Sequence, residues 1–160
     1  MKKRKMIMFI SILFMAIGFA SVSAVLYLNG QIGIVGNTGD FDVYFSKAIE
    51  NGVENSSIIK DRNHLEFTTE LRVVDEEYVL DYEVTNASKQ YDASLLMNCT
   101  GGNEYLRVSN EFDIEEILPA RTTRKGTLTL RVIKTPLEEM SVEITCEITG
   151  NAVERDTLNM

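Results

Sequence analysis

Glu77-Tyr78-Val79-Leu80-Asp81-Tyr82-Glu83-Val84-Thr85 sets Tyr78, Leu80, Tyr82 and Val84 at every second position. Glu77, Asp81, Glu83 and Thr85 fall between them, and Val79 is the one apolar exception. A period of two sends alternate side chains to opposite faces of a strand, so the stretch predicts a half-buried β-strand. Asn86-Ala87-Ser88-Lys89-Gln90 supplies a polar connection. The chain then returns through Tyr91, Ala93, Leu95, Met97 and Cys99 with the same period, which makes the pair a hairpin candidate.

Working outward toward the C-terminus, Thr100-Gly101-Gly102-Asn103 reads as a turn before a strand at Tyr105–Val108. The segment Glu111–Pro119 is the one place where a helical turn is expected. Two more strands follow: Gly126–Lys134, with Leu128, Leu130 and Val132 inward, and Ser141–Thr149, with Val142, Ile144, Cys146 and Ile148 inward. In the other direction, His64 to about Val74 is expected as a strand buried through Leu65, Phe67 and Leu71, after a short one at Ile58-Ile59. Asn51–Ser57 is polar and loop-like. Phe41, Val43 and Phe45 alternate with Asp42, Tyr44 and Ser46, behind a turn at Gly36–Asp40. Val25–Val35 is β-prone and uncharged, and its Gly30 and Gly33 predict a bulge or an edge strand. The sum is eight or nine short strands and no amphipathic helix of useful length. That predicts an all-β fold, an antiparallel β-sandwich of Ig-like or jelly-roll-like kind.

Ahead of these strands stands Met6–Leu28, a run without a charged residue, directly behind Lys2-Lys3-Arg4-Lys5. A basic start, an apolar core and the small residues Ser21-Val22-Ser23-Ala24 have the pattern of an export signal at residues 1–24, cleaved between Ala24 and Val25. The alternative is an uncleaved membrane anchor reaching about Leu28, because some 20 apolar residues span a bilayer. Either way residues 25–160 are expected as one extracellular domain, secreted or held at the cell surface, with a signal peptidase as a partner during export. Contact with the membrane is expected only through the N-terminal segment.

Net charge is −8, from 16 Lys+Arg against 24 Asp+Glu, and four of the basic residues belong to the leader. Such acidity argues against nucleic acid as a partner, since phosphate binding requires clustered Lys and Arg. No cofactor or metal site is expected. His64 is the sole histidine, and a zinc site needs several ligands in register. The acidic groups Asp75-Glu76-Glu77 and Asp113, Glu115, Glu116 lack the spacing and glycine of a calcium loop, so they read as solvated turns. No phosphate loop or nucleophile elbow occurs. Sequons at Asn55, Asn86 and Asn98 matter only in a host that glycosylates them.

The two cysteines hold the remaining chemistry. Cys99 and Cys146 each share parity with the inward residues of their strands, and outside the cytoplasm a disulfide is the natural reading, with two buried free thiols as the alternative. A third alternative is catalytic. Thr145-Cys146 near the end of a strand resembles the nucleophile of the sortase transpeptidases, with His64 and Arg155 as its helpers. Glu143 departs from that motif, and an inward thiol is inert. No enzymatic activity is therefore expected.

Val84-Thr85-Asn86 at the end of a strand, and Leu118-Pro119-Ala120-Arg121-Thr122-Thr123 leading into Gly126-Thr127-Leu128-Thr129-Leu130, resemble exported β-sandwich proteins of Gram-positive bacteria. So does the pattern from Leu28-Asn29-Gly30 to Gly36-Asn37-Thr38-Gly39-Asp40-Phe41-Asp42-Val43. The group they resemble is the camelysin and TasA family of biofilm-matrix fibre proteins. That resemblance implies a short signal processed by a dedicated peptidase, and a surface or matrix protein that associates with itself or with other matrix proteins. Camelysin was described as a metalloprotease, and nothing here resembles a zinc-protease helix. The ending Arg155–Met160 lacks the apolar tail of a wall-sorting signal, so covalent wall attachment is not expected. The expected function is that of a secreted structural protein which self-assembles by donating Val25–Val35 to a neighbour. A monomeric adhesion or ligand-binding module is the alternative, with Val25–Val35 folded back as the first strand of its own domain.

Overall fold

Apolar residues at alternate positions along nearly the whole chain are satisfied by ten strands in a computed structural model, which describes residues 24–37, 39–112 and 117–154. In chain order they are β1 (Leu26–Val35), β2 (Val43–Glu50), β3 (Val53–Glu54), β4 (Ile59–Asp61), β5 (His64–Leu71), β6 (Glu77–Asn86), β7 (Tyr91–Thr100), β8 (Leu106–Glu111), β9 (Thr122–Val132) and β10 (Met140–Glu154). One 3₁₀ turn, Ser56–Ile58, is capped by the Asn55 side chain, which accepts from Ser57 N–H; it lies where a polar loop was expected. Residues 1–23, where the export signal is expected, Thr38 of the first turn, residues 113–116 with Asp113, Glu115 and Glu116, and Arg155–Met160 lie outside the described residues. Of the expected helical turn at Glu111–Pro119, residues 113–116 also lie outside them, and the described part is not helical: Glu111 ends β8 and Leu118 forms an antiparallel bridge with Ala93. Among the described residues no helix is long and apolar enough to cross a membrane.

The strands form two five-stranded sheets, ordered β4-β5-β1-β10-β7 and β3-β2-β6-β9-β8. Their inward faces contribute to one hydrophobic cluster. Phe67 of the first sheet stacks on Tyr78 of the second at 5.1 Å between ring centroids. The all-β expectation holds, and the strand count is ten rather than eight or nine. Every residue expected inward on β6, β9 and β10 is buried, whereas β7 buries Ala93 and Leu95 and leaves Met97 and Cys99 half-buried. On β2 the register shifts between Phe45 and Lys47, which moves the inward parity from Phe45 to Ala48.

One pairing departs from the antiparallel expectation: β1 runs parallel to β10, from Leu26 opposite Met140 to Val35 opposite Thr149. The two strands come from opposite ends of the described chain, so their parallel pairing needs no local crossover. The prediction of a bulge or an edge for β1 is corrected as well. It sits third of five, with unbroken register to both neighbours. Gly30 faces inward opposite Phe67, and a Cβ there would fall 1.8 Å from the ring. The glycine makes room for an aromatic instead of bending the strand. Gly126 does the same under Tyr82 in the second sheet. The turn after β1 depends on Gly36, at φ +102° with the Gly150 carbonyl where a Cβ would be. Asn37 then closes the turn: its Nδ2 donates to Val43 O at 2.6 Å and its Oδ1 accepts from Val43 N–H at 2.9 Å.

Candidate functional site

The features bearing on function converge on β1 and the strands beside it. Leu26, Leu28, Ile32 and Ile34 alternate along β1 and are buried, as an uncharged strand between two neighbours must be to hold a place in a sheet interior. On one side β1 pairs with β5, from Leu26 opposite Leu71 to Gly33 opposite His64. On the other side lies β10. The chain enters through Ala24 and Val25, the residues that flank the expected cleavage point. Both are buried, and Met140 N–H donates to Val25 O at 3.2 Å.

Cys146 on β10 faces inward from the register position opposite Cys99 on β7, and their sulfurs form a disulfide. The Cα separation of 4.0 Å is that of the close, non-hydrogen-bonded kind of antiparallel pair. The bond therefore ties two adjacent strands of one sheet. Cys146 is 1% exposed and Cys99 is half-buried. A sulfur held in a disulfide is no thiolate nucleophile. His64 lies on the outward face, where its Nδ1 meets Asp61 Oδ1 at 2.9 Å. That hydrogen bond, with a backbone N–H from Asn63, holds the Asp61 carboxyl below the usual carboxylate range. Arg155 is outside the described residues.

Outward-facing side chains of β5, β1 and β10 surround an open cleft of about 360 Å³, lined by Asn29, Gln31, Glu66, Thr68, Glu143 and Thr145. Thr68 Oγ1 donates to Asn29 Oδ1 at 3.2 Å, and Gln31 Nε2 to Thr145 Oγ1 at 3.4 Å. The surface is rich in amides, hydroxyls and carboxylates, chemistry suited to uncharged polar ligands. Among the described residues no group of three or more His, Cys, Asp or Glu side chains is placed to hold a metal ion. The acidic triplet is a turn: Glu76 Oε2 accepts from Val73 N–H at 3.1 Å, and Asp75 pairs with Arg131 at 2.6 Å.

Asn86 is the functional-looking residue whose role the sequence concealed. It stands as a sequon, yet its side chain is buried and satisfied. Nδ2 donates to Tyr91 O at 3.0 Å and Leu118 O at 3.1 Å, while Oδ1 accepts from Ser88 N–H. Its own carbonyl accepts from Arg121 N–H. Val84-Thr85-Asn86 and Leu118-Pro119-Ala120-Arg121 are thus two halves of one clamp. Ser88 two positions on, closing an Asx-type turn, was the local signal for it. No family model matches the chain, and a search of curated proteins finds no match.

Proposed function

We propose that the chain is a secreted or cell-surface structural protein. On this reading it is an Ig-like or jelly-roll-like β-sandwich of the camelysin and TasA kind, whose subunits join into matrix fibres through the N-terminal strand. The disulfide fits an oxidising, extracellular compartment. The observation behind the reading is the place of β1. Within one chain it folds back as the first strand of its own domain, as the monomeric alternative expects; it is uncharged and fills a slot between β5 and β10, both far along the sequence. A strand of this kind is exchangeable, because the slot of a neighbouring copy offers it the same hydrogen bonds and the same apolar floor. Exchange in one direction does not close on itself, so it propagates as a filament. The signal would tether the strand until cleavage.

Tyr27 on β1 and Glu70 on β5 are register partners with exposed side chains, remote from the native disulfide. The variant Tyr27→Cys with Glu70→Cys, oxidised under conditions where the wild type forms fibres, is expected to give ladders on a non-reducing gel. A cross-linked monomer alone, from preparations that contain fibres, overturns strand exchange.

A second reading, a monomeric module binding an uncharged polar polymer such as a glycan, is supported by the cleft beside Gln31 and Thr145. It predicts saturable binding by a wild type that stays monomeric.

A further inference from the structure

The outward face of β5, β1 and β10 is ordered by the register of the three strands. Asn29 on β1 lies opposite Thr68 on β5 and Glu143 on β10; Gln31 lies opposite Glu66 and Thr145. Two rungs result. Each has an amide in the middle, a hydroxyl on one side and a carboxylate on the other, in reversed order. All six side chains are exposed, and they line the open cleft of about 360 Å³. A second depression of about 140 Å³ continues from Gln31 and Thr145 to His64 and Glu147. Gly33 stands between those last two in the register, and without a side chain it keeps the strand surface low. The two depressions form one trough along β1, roughly 13 Å from Asn29 to Gly33 at the rise of a strand.

The chemistry of the trough selects its occupant. β1, β5 and β10 contain no lysine or arginine, while Glu66, Glu143 and Glu147 border the trough. Lys60, on the neighbouring β4, pairs with Glu66. A polyanion is therefore repelled. β1 lies inside its sheet, so its backbone offers nothing to an added peptide strand. The side chains of the two rungs are all polar, which gives a lipid or an apolar peptide no floor. Hydroxyl groups suit them well, because carboxylates accept from hydroxyls in charge-assisted bonds and amides both donate and accept. Thr68 Oγ1 donates to Asn29 Oδ1, which leaves Asn29 Nδ2 to donate to a ligand oxygen. Gln31 Nε2 donates to Thr145 Oγ1, which leaves Gln31 Oε1 to accept from a ligand hydroxyl. These bonds orient both amides before a ligand arrives.

We propose that this trough is the binding site for a neutral linear polysaccharide, which lies along β1 with Asn29 and Gln31 as its central contacts. The proposal deepens the ligand-binding reading above and rests on it. It also extends to a fibre, because Asn29 and Gln31 belong to β1 while the other four side chains belong to the walls of its slot. The site exists wherever that slot is filled, by a chain's own strand or by a neighbour's. At each joint of a fibre two copies would share one site.

The test is a titration of the isotopically labelled protein with cellohexaose, mannohexaose and chitohexaose, read from amide chemical shifts, with polygalacturonate as the anionic control. At least one neutral hexasaccharide is expected to bind with a dissociation constant below about 1 mM. It should shift amides of β1, β5 and β10 around Asn29 and Gln31, and polygalacturonate should leave them unmoved. Asn29→Ala with Gln31→Ala is expected to weaken binding about tenfold or more. Thr145→Val, which keeps the shape of the side chain, should weaken it by a smaller factor, and Thr129→Ala on the outer face of β9 should not. Binding that moves amides elsewhere, polygalacturonate bound at the same amides, or folded variants at Asn29, Gln31 and Thr145 that bind as tightly as wild type overturn this site. Binding at another place would still leave the ligand-binding reading standing. No binding of any of the three neutral hexasaccharides overturns both.

Discussion

Tyr78 and Tyr82 stand two positions apart on one face of β6, equally buried and differently satisfied. The Tyr82 hydroxyl donates toward Asn110 Oδ1 at 2.9 Å and Met97 Sδ at 3.0 Å. The Tyr78 hydroxyl makes no hydrogen bond of good geometry with a described residue, and the Glu50 carboxylate is its nearest polar influence. Burial pushes both hydroxyl pKa values well above the ordinary tyrosine range; for Tyr78 the Glu50 carboxylate adds to it, and for Tyr82 the bond to Asn110 works against it. Removing a partnered buried hydroxyl costs about 1 kcal/mol, whereas removing an unpartnered one relieves a desolvation cost. Tyr82→Phe is therefore expected to lower unfolding stability by about 1 kcal/mol in urea titration, and Tyr78→Phe to leave it unchanged or raise it. Equal losses in the two variants would refute this account. The pH dependence has a definite sign. A group whose folded pKa is raised contributes stability fully below its unfolded value, about 10 for tyrosine, and loses it as pH climbs. The wild type should lose stability above that pH, and each Phe variant should lose less.

At the scale of elements, the tie between β7 and β10 matters most. These strands pair from Tyr91 opposite Glu154 to Thr100 opposite Thr145, and the disulfide closes a loop with a sequence separation of 47 residues. The chain-entropy model gives such a cross-link about 4 kcal/mol, through restriction of the unfolded chain. Replacing both cysteines by serine is expected to lower the melting temperature by roughly 10 °C while leaving a folded, all-β protein. An unchanged melting temperature would mean that the bond is not formed in the purified protein.

For the molecule as a whole, β1 decides whether one chain is enough. Without residues 25–35 the first sheet splits between β5 and β10, and Leu26, Leu28, Ile32 and Ile34 leave the core. Large-to-small changes at single core sites cost about 2–5 kcal/mol each, so losing four such side chains exceeds the usual stability of a domain. The truncated chain is expected to lack a cooperative thermal transition. A synthetic peptide of residues 25–35 supplied in excess should restore it, with a melting temperature that rises with peptide concentration. A truncated chain that melts cooperatively alone would show that the slot is dispensable, and strand exchange would lose its basis.

Alternation along β5, β6, β9 and β10 already named the faces that became the core, because the two-residue period of a strand is a local property and burial follows from it. The two inward cysteines were legible for the same reason. The tertiary structure alone decided which strands are neighbours. Hydrogen bonding between strands is carried by the backbone, which is nearly the same in every residue, so the sequence holds no direct label for β1 lying between β5 and β10 or for its running parallel to β10. The glycines show the limit most plainly. Gly30 reads as a defect in a strand until Phe67 is found filling its space, and Asn86 reads as a surface sequon until Leu118 and Tyr91 are found bound to it. In both cases the partner that gives the residue its meaning lies more than thirty positions away or across a turn, and only folding brings it there.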